Sequence, residues 1–219
     1  MLALRSGIVD NPRVHVIDYG LGNLLSVAQG LVAVGAAPLI AGEPQSVAQA
    51  RKIILPGVGA FPVAMKYLRD SGLDVAVIEA AKRGVPVLGI CLGMQLLFDH
   101  SSEFENTRGL GLIEGGVVPL LSKPERGSLR STHIGWRAVT WNPGGNRALT
   151  RSFDDKDSYY FVHSYVAEPS QEKDLWASVR YGAQEIAAVV GSGIVWGTQF
   201  HPEKSGEAGL KVLRKFVHG

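Results

Sequence analysis

The first half of the chain alternates short apolar runs with longer stretches of helical periodicity. Val14-His15-Val16-Ile17-Asp18-Tyr19 reads as a buried strand ending at Gly20, and a helix is predicted from Asn23 to Val34 with Gly35 as its stop. Ala37 to Ile40 and Lys52 to Leu55 are short strands, the second closed by Pro56-Gly57-Val58-Gly59. Phe61 to Arg69 and Asp74 to Arg83 read as helices. Val85 to Ile90 is an apolar strand that runs into Cys91-Leu92-Gly93, and Met94 to Phe98 reads as the buried face of the helix beyond. Repeated strand–helix units predict an α/β fold, a mostly parallel central sheet flanked by helices.

The second half predicts an additional antiparallel, strand-rich region, opened by Gly109 to Gly116. Its candidate strands are His133 to Val139, Tyr159 to Val166, Leu175 to Tyr181, Ile186 to Val190 and Ile194 to Phe200. Ser122 to Ser128 and Asn142 to Asn146 are turn-rich, and a helix from Glu207 to Val217 closes the chain. Residues 1–12 read as an N-terminal extension and 13–219 as a single domain.

Composition narrows the function classes. The net charge of +2, with no dense Lys/Arg block, gives no basis for a nucleic-acid partner. No apolar stretch reaches the roughly 20 residues of a membrane span. The single cysteine excludes an intrachain disulfide and a multi-cysteine metal site, and it fits a reducing cytoplasm. No cofactor or metal is expected.

That cysteine, Cys91, sits at a glycine-flanked strand-to-helix turn, where free N–H groups and the helix dipole favour a thiolate. Gly89 and Gly93 are expected to leave room for the tight turn and for substrate. A cysteine nucleophile needs a base, and His201 is the best candidate, at the end of an apolar strand broken by Pro202. Glu203 follows at i+2, which in extended backbone places it on the same face, where it would orient the imidazole. Oxyanion donors should be backbone N–H groups, and Pro56-Gly57-Val58-Gly59 is a natural supplier at another strand end.

Pro56 to Gly59, Gly89 to Gln95 and His201-Pro202-Glu203 together resemble the class I (triad) glutamine amidotransferases. Ile17 to Leu24, His133-Ile134-Gly135-Trp136, Tyr160 to Tyr165 and Gly197 to Ser205 are similar to those of the glutaminase subunits of imidazole glycerol phosphate synthases, in histidine biosynthesis. The resemblance implies that Cys91 attacks the carboxamide of L-glutamine, with His201 as base and then acid and Glu203 as orienter. It implies backbone N–H groups of Val58 and Leu92 as oxyanion donors. It places Gln95, Glu103, Ser164 and Tyr165 on the substrate and makes Gly57 the point where the oxyanion strand reorients. It further implies a heterodimer whose other member is a (β/α)8-barrel cyclase subunit, which takes up the ammonia. Arg137 departs from the family's usual Asn after His-Ile-Gly-Trp, so the Asn's role is not transferred to it.

Two other classes fit parts of the pattern. A cysteine peptidase or another amidotransferase could use the same turn, and a non-catalytic scaffold could keep the fold. Carboxamide-binding residues argue against the first, and an intact Cys91, His201 and Glu203 against the second. His133 and His163 read as structural or interface residues, and His15 as a satisfied core or edge histidine. His100 and His218 read as exposed. The four tryptophans read as core or interface, and Gly20-Leu21-Gly22 as packing or partner contact rather than a phosphate loop.

Overall fold

A computed structural model describes residues 11–120, 131–146 and 153–219. Among these, β1 (Arg13–Ile17), β2 (Ala37–Ala41), β3 (Ile53–Leu55) and β4 (Val87–Ile90) pair in parallel in the order β2-β1-β3-β4. The chain's last strand, β14 (Val195–Thr198), adds in parallel beside β4. The sheet continues antiparallel through β13 (Gln184–Ser192), β12 (Leu175–Tyr181) and β9 (Thr140–Trp141), to eight strands in all. The predicted α/β architecture is therefore found, with antiparallel additions.

Burial on both faces explains the nearly unbroken apolar strands. Val14 and Val16 of β1 pack with Leu31 of α1 (Leu24–Ala33) and Leu213 and Phe216 of the last helix, α6 (Gly206–His218). Ile17, Ile53 and Leu55 face the other way, toward α2 (Pro44–Ala48), α3 (Phe61–Asp70) and α4 (Leu73–Lys82). Each such side chain contributes about 1.5–3 kcal/mol on burial. His15 sits within β1 but is not the satisfied histidine expected, since its buried Nδ1 has no hydrogen-bond partner.

α1 starts where predicted, with Asn23 accepting from the Ser26 N–H, and stops at Gly35, whose φ of +78° suits glycine. α3 has no side-chain cap of its own. Its Phe61 N–H instead donates to Glu103 Oε2 at 2.7 Å, so a carboxylate distant in sequence caps the helix.

Two predictions need correction. The helix after Cys91, α5 (Leu92–Gln95), is a single turn, and Phe98 already begins a strand, β5 (Phe98–Ser101). Leu97 ends the turn because its carbonyl is taken by the N–H groups of Leu112 and Ile113, which start β7 (Ile113–Pro119). β5 and β7 belong to a four-stranded sheet with β6 (Thr107–Arg108) and β11 (Tyr165–Pro169), while β8 (His133–Ala138) pairs with β10 (Ser158–His163). The single strand predicted from Tyr159 to Val166 is thus two, broken at Ser164 as the chain passes from one sheet to another. Of the predicted extension, Pro12 accepts from the Ala37 N–H. Residues 1–10 and the turn predicted at Ser122 to Ser128 lie outside the described residues.

Candidate active site

Leu55↔Gly89 and Thr198↔Ile90 are in register, so the carboxyl ends of β3, β4 and β14 lie side by side. Cys91 follows β4 with φ 55° and ψ −111°, a backbone conformation that L-residues rarely adopt. Its N–H donates to Thr198 O at 2.8 Å, and its carbonyl accepts from Met94 and Gln95 at 3.0 and 3.2 Å. A Cβ on Gly93 would come within 1.8 Å of Leu55 O, and one on Gly89 within 2.6 Å of Met94 Cα. The two glycines therefore make room for neighbouring backbone, not for substrate as the sequence suggested, and that packing holds Cys91 in its conformation.

His201 is buried and lines the same cavity as Cys91. Its N–H donates to Tyr160 O at 3.0 Å, and its carbonyl accepts from Ser205 Oγ at 2.6 Å, which ties the loop to β10. Nδ1 lies 2.8 Å from Glu203 Oε1, and the side chains of the pair are 3% and 1% exposed. Burial alone would lower the His201 pKa, but hydrogen bonds to Cys91 and Glu203 and their charge raise it to about 10. Pro202–Lys204 forms a 3-10 turn, so Glu203 reaches the imidazole by curling back rather than along extended backbone.

These groups open into a cavity of about 350 Å3 lined by Val58, Cys91, Leu92, Gln95, Glu103, Ser164, Tyr165 and His201, among others. Every sequence-predicted site residue reaches its lining except Glu203, which stands behind His201, and Gly57. Gly57 is buried, and a Cβ there would meet Tyr19 Oη at 2.6 Å and Gly93 N at 2.8 Å. Burial raises the Glu103 pKa, with the Phe61 N–H opposing it. A wider recess of about 580 Å3, around Arg13, His15 and Arg51, opens at the amino ends of the strands, away from Cys91.

Other residues of the site carry weaker sequence signals. Thr132 lines the cavity and shares a 2.8 Å hydrogen bond with Ser164. Tyr19 donates to Pro56 O at 3.0 Å and so fixes the loop that carries Val58. Gln199 is fully buried, with Nε2 3.7 Å from Cys91 Sγ. Its one signal is a carboxamide inside the apolar run Val195 to Phe200. His163, expected to be structural or interfacial, lines the cavity and contacts His133 at 3.0 Å.

The model of the family Glutamine amidotransferase class-I matches residues 15–219. The chain is 43% identical to the imidazole glycerol phosphate synthase subunit HisH of Geobacillus kaustophilus, over 93% of this chain and 95% of that one. It is 47% identical to the subunit of the same name from Methanosarcina acetivorans, over 94% and 98%. Among solved structures, it is similar to a chain of PurLQS from Thermotoga maritima (TM-score 0.72, 22% identity, covering 94% of this chain and 98% of that one). It is also similar to a crystal structure of a glutamine amidotransferase (TM-score 0.68, 18% identity, covering 93% and 96%). These likenesses support the same fold.

Proposed function

The chain belongs to the class-I glutamine amidotransferases, among the HisH subunits of imidazole glycerol phosphate synthase, and from that membership we propose that Cys91, His201 and Glu203 hydrolyse L-glutamine to glutamate and ammonia. The observation that carries the reading is that buried Cys91 and His201 line one small cavity, with Glu203 hydrogen-bonded to His201 from behind. Cys91 Sγ attacks the side-chain carboxamide carbon as His201 holds the thiol proton. Collapse of the tetrahedral intermediate breaks the C–N bond, the proton goes to the leaving nitrogen, and ammonia departs from a thioester. Water then attacks, His201 accepts its proton and returns it to sulfur, and glutamate leaves. Glu203 keeps Nδ1 engaged, so that Nε2 faces the sulfur.

The oxyanion is assigned to the backbone N–H groups of Leu92 and Val58. Leu92 opens α5, where an N–H is not used by the helix. Val58 lies between Gly57 and Gly59, and Gly59 already has a φ of +98°, so the loop can turn its N–H groups. Gln95, Glu103, Ser164 and Tyr165 supply polar groups for the amino-acid end of glutamine. A cavity this small suits a free amino acid better than an extended peptide, which disfavours the peptidase alternative.

Ammonia passes to a (β/α)8-barrel cyclase subunit, which makes imidazole glycerol phosphate and aminoimidazole carboxamide ribotide in the cytoplasm. Support for a docked partner comes from exposed apolar side chains beside the cavity. Val58 is 41% exposed, and Ile134 and Trp136, on the strand paired with Val162 and Tyr160, are 55% and 51% exposed. Among the described residues no helix is long and apolar enough to cross a membrane. Glutamine hydrolysis measured with and without the cyclase partner and its substrate tests the proposal. It expects activity that needs Cys91 and rises with the partner, and full turnover by Cys91→Ala would overturn it.

A further inference from the structure

We infer that Gln199 is a further residue of the glutaminase chemistry, whose side-chain N–H holds the Cys91 sulfur as it becomes anionic, and whose orientation is fixed by a buried hydrogen-bond chain that ends at His133. The inference rests on the glutaminase reading and deepens it. Hydrogen-bond direction can be assigned without ambiguity, because the chain passes through a group that can only accept. That group is the backbone carbonyl of Tyr165.

Gln95 Nε2 lies 3.0 Å from Tyr165 O, so that end of Gln95 must be its NH2 group. The same nitrogen lies 3.0 Å from one end of the Gln199 carboxamide, which must then be the oxygen. The other end of Gln199, its NH2, is left facing Cys91 Sγ at 3.7 Å. An N–H aimed at sulfur gains strength as negative charge develops there, so it stabilises the anionic sulfur more than a neutral thiol. The sulfur also lies 3.9 Å from Val162 O, which can accept from an S–H but offers nothing to a bare sulfur anion. Gln199 is fully buried, and its backbone N–H is tied to Ala188 O at 2.8 Å, which fixes the base of its side chain.

On its other side Tyr165 O receives His163 Nδ1 at 2.9 Å, so Nδ1 carries the proton. His163 Nε2 is then an acceptor, and His133 Nδ1 donates to it across 3.0 Å. Both rings are held neutral by burial. The chain therefore runs from β8, beside exposed Ile134 and Trp136, to the nucleophile, with one donor and one acceptor at every link.

Gln199→Glu and Gln199→Met test the assignment in the full chain, assayed for glutamine turnover with the cyclase partner and, alone, for iodoacetamide alkylation of Cys91. Gln199→Glu keeps an acceptor for Gln95 but loses the N–H, so kcat should fall by about tenfold or more while KM for glutamine stays within about threefold. Gln199→Met loses both contacts, so kcat should fall and KM should rise. Alkylation should slow by about tenfold in both, since an alkylating agent needs the sulfur anion but not the glutamine pocket. A smaller fall in kcat for Gln199→Glu, a loss confined to KM, or alkylation at the wild-type rate would overturn the inference. If the wild-type complex hydrolyses no glutamine, the glutaminase reading fails, and alkylation still decides whether Gln199 acts on the sulfur.

Discussion

His201 Nδ1 and Glu203 Oε1 lie 2.8 Å apart with both side chains withdrawn from solvent, so the pair acts as one ionic unit. Breaking such a buried pair by removing one partner costs about 3–5 kcal/mol. Glu203→Ala should therefore lower stability markedly in urea unfolding. Glu203→Gln keeps a hydrogen-bonding group but not the charge, and it should cut glutamine turnover by about a hundredfold or more. Steady-state kinetics with the proposed cyclase partner checks the second outcome.

The pair also predicts a pH dependence. The His201 pKa is raised from 6.5 to about 10 in the folded chain, so its contribution to stability is complete below about pH 6.5 and is lost as pH rises toward 10. The urea-midpoint difference between wild type and Glu203→Gln should shrink across that window. A difference that grows with pH would contradict the assignment.

His133 and His163 predict the opposite sign. Burial, largest in both, lowers their pKa values to about 4 and about 3. Their neutral packing thus contributes stability above pH 6.5 that is lost as pH falls through those values. His133 stacks on Phe161, with ring centroids 4.8 Å apart, so His133→Phe keeps the aromatic packing. Acid denaturation followed by circular dichroism should show a shallower loss of stability below about pH 6 in His133→Phe.

Cys91 occupies a φ of 55° that glycine adopts at no steric cost. Relative to Cys91→Ala, Cys91→Gly should gain about 1 kcal/mol, reversing the usual preference for alanine, and both should lose turnover. Thermal melting of the two variants measures the strain held at position 91.

Gly93 gives the complementary result. An added methyl would sit 1.8 Å from the Leu55 carbonyl oxygen and 3.1 Å from the Pro56 carbonyl carbon, and such backbone cannot yield as a flexible side chain would. Gly93→Ala should cost about 3 kcal/mol or more and expose the chain to proteolysis.

Strand ends were legible in the sequence because β1, β3, β4 and β14 are buried on both faces and read as short apolar runs closed by glycine or proline. That placed Cys91, His201 and the Pro56–Gly59 loop together before any side chain was located. An apolar run alone does not distinguish helix from strand, so Met94 to Phe98 read as a longer helix than the single turn found. Contacts between residues distant in sequence left no local trace. The Glu103 cap on Phe61 spans 42 positions and the Gln199 contact with Cys91 spans 108, and neither is implied by periodicity.

The most direct test of the central claim is mass spectrometry of the full chain, together with the proposed cyclase partner, after reaction with a diazoketone analogue of glutamine, alongside loss of glutamine turnover. The account predicts one adduct, on the peptide carrying Cys91, forming in step with inactivation and absent from Cys91→Ala. Inactivation with the adduct on another residue, or glutamine turnover that persists once Cys91 is fully modified, would contradict it.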